Sequence, residues 1–287
     1  MTKNKKKIQP EQHQDRQPGY ENEMHPLPQY EDTTYKGSGK LEGKTAVITG
    51  GDSGIGRAVS LYFAKEGADI AILYLDEHED AEFTKNLVVK QGRKCKLISG
   101  NVGNPGFCEN AIAQVMNELN QIDIVVNNAA VQYPQKDFMK ITNEQMENTF
   151  RVNFFSYFYM VKAALPHLQE GSSIINTSSI TAYAGNEQLI DYTSTKGAIT
   201  SFTRALSKSL VSKGIRVNGV APGPIWTPLI AASFDAQKVA EFGSDNPMGR
   251  PGQPKEVAPA FVYLASNDSS YVTGQMMHVN GGIIING

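Results

Sequence analysis

The sequence predicts an α/β fold, a doubly wound seven-stranded parallel sheet, in a single domain spanning residues 41–287. Three observations carry this expectation. Seven short apolar runs alternate with segments whose apolar residues recur at helical spacing, and strands alternating with helices build a parallel sheet covered on both faces. A glycine-rich turn, residues 49–56, joins the first run to the first helical segment. Right-handed crossovers then wind the sheet outward in both directions. The length of 287 residues suggests two domains at about 150 residues each, but open α/β units reach about 250 residues as one.

Taken in order, residues 1–40 stand apart. They hold Pro10, Pro18, Pro26 and Pro28, five glutamines and charges of both signs, with Ile8 and Leu27 as the only branched aliphatics. Such a segment buries too little apolar area to offset its own ordering entropy. It is expected to be an extended or disordered arm, ending at Gly37-Ser38-Gly39. The alternative to a solvated tail is an arm lying on a neighbouring surface, with Tyr20, Met24, Leu27, Tyr30 and Tyr35 as spaced anchors. The first strand follows at 45–49. Ile55, Ala58, Val59, Tyr62 and Phe63 then share one helical face, and Gly67 ends that helix. Further strands are expected at 69–73, 96–99, 122–126, 173–177, 215–220 and 275–279. Helices are expected at 81–90, 107–119, 143–168 with a kink near Pro166, 192–212 and 254–265.

Composition narrows the class. The chain is 40% hydrophobic and 20% charged, with 27 basic and 29 acidic residues, and a net charge of -2 argues against a nucleic-acid partner. Cys95 and Cys108 are too few for a disulfide framework and fit a cytoplasmic chain with inert packing thiols. No apolar stretch approaches the roughly 18 residues of a membrane span. The basic start, with Lys3 and the run 5–7, leads into Gln and Pro rather than an apolar region, so no secretory signal is expected. The five histidines show no metal-ligand spacing, and no metal site is expected.

The turn Thr49-Gly50-Gly51-Asp52-Ser53-Gly54-Ile55-Gly56 fails the strict G-x-G-x-x-G fingerprint. It also fails the P-loop, because Arg57 and Ala58 stand where Lys and Ser or Thr are needed. Its physics survives both failures. Glycines let the backbone approach a pyrophosphate, and the helix beyond offers free N–H groups and a positive dipole end.

Tyr192 and Lys196 are four residues apart and share a helix face. A phenol titrates near 10, too high for neutral acid–base work, and an adjacent ammonium lowers it. By itself this spacing is weak, since structural pairs share it. Its company gives it weight: strand C-termini line the ligand crevice of a doubly wound sheet. Ser179 lies at the end of the fifth strand, Asn127-Asn128-Ala129-Ala130 at the end of the fourth, and Pro222-Gly223-Pro224-Ile225-Trp226-Thr227 at the end of the sixth.

With these residues in view, the chain from about Leu41 to Gly287 resembles a compact short-chain dehydrogenase/reductase, a Rossmann-type fold. The family's T-G-x-x-x-G-x-G is met by Thr49, Gly50, Gly54, Ile55 and Gly56, and its N-N-A-G by Asn127, Asn128 and Ala129, with Ala130 replacing the last glycine. Its Asn-Ser-Tyr-Lys tetrad maps to Asn153, Ser179, Tyr192 and Lys196, and its P-G-x-I/V-x-T to Pro222, Gly223, Ile225 and Thr227. The extended start further resembles a bacterial branch described as aldehyde reductases or glucose/ribitol dehydrogenase-like enzymes.

The resemblance implies hydride transfer between a nicotinamide cofactor and a small carbonyl or alcohol substrate. Tyr192 would be the general acid or base, and Lys196 would lower its pKa and hold the nicotinamide ribose. Ser179, rather than Ser178, would bond the substrate oxygen. Asn153 would orient a water, its alternative being a structural amide inside the helix. The resemblance also implies a homotetramer. NADPH-dependent aldehyde reduction is one alternative function; a catalytically silent nicotinamide-binding sensor is another, against which the intact tetrad argues.

The cofactor choice turns on two places. Ser53 stands where a basic residue would favour a 2′-phosphate, and Tyr74-Leu75-Asp76 after the second strand has none either. An acidic side chain there accepts from ribose hydroxyls and repels a phosphate. NAD is therefore expected ahead of NADP. Asn101-Val102 takes the place of an Asp-Val pair beside the adenine. The stretch from Trp226 to about Met248 is expected to form a substrate lid, with Val131, Gln132, Tyr133, Tyr183 and Gln188 as further walls.

Overall fold

Alternating side-chain direction along strands buried on both faces organises the sheet. In β1 (Thr45–Thr49), Ala46 and Ile48 enter one apolar cluster and Val47 the opposite one. In β2 (Asp69–Tyr74), Ile70 and Ile72 face the first cluster, and Ala71 and Leu73 the second. A strand buried on both faces needs such apolar residues at every position, with period two deciding which layer each one joins. The computed structural model describes residues 6–285, so Lys3 and Lys5 of the basic start lie outside the described residues.

The remaining strands are β3 (Cys95–Ser99), β4 (Ile124–Asn127), β5 (Ser173–Thr177), β6 (Arg216–Pro222) and β7 (Met276–Val279). All pair in parallel, in the order β3-β2-β1-β4-β5-β6-β7. The fold is the single-domain, doubly wound α/β architecture that the sequence predicts. Strand order reverses between β1 and β4, which opens a crevice at their C-terminal ends.

The helices are α1 (Gly54–Lys65), α2 (His78–Lys90), α3 (Pro105–Leu119), α4 (Asn143–Phe150), α5 (Ser156–Ala164), α6 (Thr181–Ala184), α7 (Ile190–Leu210), α8 (Pro228–Ala231), α9 (Ala236–Glu241) and α10 (Pro254–Ala265). One layer packs α1 and α10 against the sheet; the other packs α3, α5 and α7. The expected long helix at 143–168 is broken differently from the expectation. A π-helical segment, Arg151–Phe155, separates α4 from α5, and Pro166 ends the run in a 3-10 turn instead of kinking it. The start of α2 lies three residues before the expected 81, with Glu79 and Asp80 in its first turn.

The arm from residue 6 onward runs over its own chain. The Ile8 and Gln9 N–H groups donate to the Ala240 carbonyl, and Gln14 N–H to that of Ala231. Farther along, Lys255 N–H donates to the Gln29 carbonyl, and the Asp32 N–H to the Tyr62 hydroxyl. Tyr35 stacks on Tyr62 with centroids 4.5 Å apart. Of the five proposed anchors, Met24 is buried, Tyr30 and Tyr35 pack on the core, and Leu27 is exposed. Tyr20 lies under the Arg16 guanidinium.

Candidate active site

A cleft of about 460 Å³ runs along the C-terminal edge of the sheet. Its size is that of an ordinary small-molecule or cofactor site. Gly50, Ser53, Gly54 and Ile55 line it from the glycine turn, Tyr74 and Leu75 from the end of β2, and Asn101 and Val102 from the end of β3. Asn128 and Ala129, then Ser179, Tyr192 and Lys196, and finally Pro222, Gly223, Ile225 and Thr227 complete the wall. Three of the catalytic and cofactor residues named from the sequence do not line it. Gly56 lies in the first turn of α1, Asp76 at the rim and Asn153 fully buried behind Val131.

The glycine turn is held by β4. The Asn128 side-chain amide donates to the Thr49 and Gly50 carbonyls, at 3.3 and 3.1 Å. Thr49 Oγ1 accepts from the Asn128 and Ala129 N–H groups. Gly54 has φ +52, and a Cβ there would lie 3.1 Å from Thr227 Cγ2. A Cβ on Gly56 would lie 1.8 Å from the Gly50 carbonyl oxygen, so only glycine lets the helix start this close to the strand. The Ile55 N–H, in the first turn of α1, has no acceptor among the described residues. A glycine backbone turn whose Gly54 N–H is taken by Glu21, an open Ile55 N–H beside it and a cleft lined from β2, β3, β4, β5 and β6 fit the pyrophosphate and two arms of a dinucleotide.

At the other end, the Lys196 Nζ donates to the Thr177 carbonyl at 2.9 Å and lies 5.3 Å from the Tyr192 ring centroid. Both side chains are buried. Burial pushes the Tyr192 phenol up to about 12, against a Ser179 hydrogen bond that pulls it down. Burial also brings Lys196 down to about 7. The sequence led to the expectation that Lys196 would lower Tyr192; burial is the largest influence on the phenol in this structure. The adjacent serines, just past the end of β5, have different partners. Ser178 Oγ donates to the Lys196 carbonyl at 2.9 Å and meets Thr200, whereas Ser179 Oγ accepts from Thr181 and faces Tyr192.

Asn153 sits in the π-helical segment. Its Oδ1 accepts from the Val131 N–H and its Nδ2 donates to the Val131 carbonyl, both at 2.8 Å. The side chain thus ties the segment after β4 to the helix. Asn101 Oδ1 accepts from the Gly103 N–H at 2.8 Å, within its own loop. Trp226 is fully buried against Met24, Tyr192 and Phe234, so it packs the segment after β6 rather than lining the cleft. Val131, Gln132 and Tyr133 are cleft walls; Tyr183 and Gln188 are not.

Among the contributors that sequence reasoning missed are Gln17, Pro18 and Gly19 of the arm, Glu77 just before α2, and Asn148 and Val152. Gln17 Oε1 accepts from the Gln132 N–H at 2.9 Å, which anchors the arm across the rim. The spaced anchors Tyr20, Met24, Leu27, Tyr30 and Tyr35 are the sequence signal that the arm docks.

A family profile described as "Enoyl-(Acyl carrier protein) reductase" matches residues 50–284. The chain is 62% identical to "Uncharacterized oxidoreductase YhxC" of Bacillus subtilis over the full length of both. It is 51% identical to "Glucose and ribitol dehydrogenase" of Daucus carota, over 97% of this chain and 98% of the relative. It is 50% identical to "NADPH-dependent aldehyde reductase 1, chloroplastic" of Arabidopsis thaliana, over 96% and 98%. A crystal structure of a short chain dehydrogenase from Burkholderia cenocepacia in complex with NADP superposes with a TM-score of 0.80 at 28% identity, covering 85% of this chain and 98% of that one. Fold, ordered motifs and relatives agree: the chain belongs to the short-chain dehydrogenase/reductase family and is an oxidoreductase of the carbonyl/alcohol type.

Proposed function

We propose that this protein reduces a small aldehyde or ketone, or oxidises the matching alcohol, with Tyr192 as general acid or base. The observation that carries this reading is the meeting of Ser179, Tyr192 and Lys196 on one wall of the cleft, with the Lys196 Nζ 5.3 Å from the Tyr192 ring centroid. A nicotinamide dinucleotide in the cleft supplies or accepts the hydride. In reduction, Tyr192 donates its proton to the carbonyl oxygen, and the Ser179 hydroxyl hydrogen-bonds the same oxygen as negative charge develops there. Lys196 is held by the Thr177 carbonyl, and its charge stabilises the phenolate left behind. A phenol at about 12 begins protonated, the state that reduction needs. Asn153 acts as a positioning residue for Val131 in the wall, and the water role remains part of the proposal.

The relatives and solved neighbours named for NADP or NADPH favour NADP(H) for this chain, the reverse of the order inferred from Ser53 and Asp76. NADPH-dependent aldehyde reduction is accordingly the first activity to test. A homotetramer is part of the reading, supported by the exposed Phe155 and Phe158 on one helical face and by exposed Tyr271 and Ile284 near the last strand. A cytoplasmic location rests on two unpaired cysteines. Purified protein is mixed with NADPH or NADH and a panel of aldehydes and ketones, and loss of reduced-nicotinamide absorbance is followed. Binding of either cofactor without turnover of any substrate would support the silent sensor instead. Light scattering of the same sample decides the assembly.

A further inference from the structure

The end of β2 is the place where a doubly wound sheet reads the adenosine ribose: an acidic side chain there accepts from the 2′-hydroxyl, and an arginine nearby accommodates a 2′-phosphate. In this chain the local sequence offers only Asp76 and Glu77. A carboxylate in the cleft wall at Glu77 and another at its rim at Asp76 repel a phosphate there, and no basic residue of the turn or of the β2 end offsets them. The structure adds a charge from elsewhere. Arg16, 60 positions away on the arm, donates through Nη2 to Asp76 and to Glu77, the latter at 3.1 Å.

Arg16 is held there by more than these pairs. Its guanidinium stacks on the Tyr20 ring, 4.0 Å from the centroid. The arm on either side of it is tied down. Upstream, the His13 ring bonds the Phe234 carbonyl. Downstream, Gln17 bonds the Gln132 backbone, and buried Glu21 accepts from the Gly54 N–H and pairs with Arg57, which also pairs with Asp80 at 2.7 Å. Gln17, Pro18 and Gly19, the next three residues, line the cleft beside Tyr74 and Leu75. A guanidinium has five N–H donors, and those on Nε and Nη1 have no acceptor among the described residues. Burial also pushes Glu77 up to about 7, which lessens the negative charge at this rim.

We propose that Arg16, delivered by the arm of the same chain, sets the 2′-phosphate preference of the dinucleotide site by offsetting Asp76 and Glu77 and donating its free N–H groups to the phosphate. This rests on the nicotinamide-dependent reading above. It makes the arm a working part of the cofactor site, and it accounts for a site that lacks a local basic residue in a chain whose relatives include an NADPH-dependent enzyme.

The test is direct binding with the full-length protein. NADPH and NADH are titrated by fluorescence against wild type, Arg16→Ala, Arg16→Lys and Asp76→Ala, with melting temperatures recorded for each. Arg16→Ala is expected to raise the NADPH Kd at least about ten-fold while NADH changes less than about three-fold. Arg16→Lys recovers part of the loss, because charge returns without the planar fork. Asp76→Ala tightens NADPH. The Kd ratio of the two cofactors is the deciding readout, since a loosened arm weakens both together. An unchanged ratio in Arg16→Ala, or wild type that binds NADH but not NADPH, overturns the proposal and leaves the oxidoreductase reading intact. Wild type that binds neither cofactor overturns both.

Discussion

The Trp226 indole N–H donates to the carbonyl of Pro26 at 2.9 Å, joining the segment after β6 to the arm. The two residues are 200 positions apart, and the tryptophan is fully buried. Beside this bond Met24 fills the same apolar cluster as Ile230, Phe234 and Val239. Glu21 then places a carboxylate beside the buried guanidinium of Arg57.

Removing the arm should therefore be costly. Deleting residues 1–38 uncovers the Met24 site, about 1.5–3 kcal/mol for a buried side chain of that size. It also strips Arg57 of one of its two carboxylates. Thermal unfolding is expected at a melting temperature several degrees lower, and Trp226→Phe should show a smaller drop in the same direction. A truncated chain that melts with the full-length one would contradict the docking described here.

Tyr192→Phe removes only a hydroxyl. Turnover should fall by at least about a hundred-fold, with NADPH affinity within a few-fold of wild type. Single-turnover kinetics and a binding titration on the same preparation separate the two effects. Retention of wild-type turnover would remove Tyr192 from the mechanism.

Lys196 gives a stability signature with a definite sign. Burial brings it from an ordinary 10.5 to about 7, so the folded state resists protonation. Above about pH 10.5 neither state is charged. As pH falls from there towards 7, the unfolded chain takes up the proton first and wild type loses stability; below 7 both states are charged and the loss stops growing. Lys196→Met titrates nowhere, so its stability relative to wild type should rise as pH is lowered from about 10 to 7 and then level off. Urea unfolding across this range checks it, and turnover of the variant should fall on the order of a hundred-fold or more. A gap that does not move with pH would mean that Lys196 stays charged in the folded protein.

Cys95 and Cys108 are both unpaired, and burial pushes each thiol up to about 12. At mildly alkaline pH the thiolate fraction is negligible. Native protein should resist iodoacetamide at both positions, while protein in urea is alkylated at both, as read by mass spectrometry. Rapid labelling of native Cys108 would show that α3 opens from the sheet.

Gly54 combines φ +52 with a Cβ position 3.1 Å from Thr227. Gly54→Ala is expected to lose about 1–2 kcal/mol of stability and to weaken the binding of both dinucleotides, because the cradle narrows and the backbone leaves its left-handed conformation. Unchanged affinity for both would detach the glycine turn from cofactor binding.

Much of the molecule is local in origin, and so was readable. Strands buried on both faces must be apolar runs, as in Ile70–Leu73, and α1 must repeat apolar residues every three or four positions. The glycine turn and the Tyr192–Lys196 spacing are likewise short patterns whose geometry follows from one strand end or one helix. The start of α2 escaped because its first turn is charged, and Arg151–Phe155 because a π-helical segment leaves no mark in periodicity. α8 and α9 are four and six residues long, too short for a helical repeat to show.

What the sequence by itself determined is the sheet, its winding, and the order of the residues along the crevice, since each follows from neighbours in the chain. Only the tertiary structure decided where the arm lies. It thereby decided which charge stands beside Asp76, how deeply Trp226 is buried, and that desolvation governs Tyr192 and Lys196. The physical reason is the same in each case. Electrostatic surroundings are set through space by partners such as Arg16, and no local pattern records which distant residue will arrive.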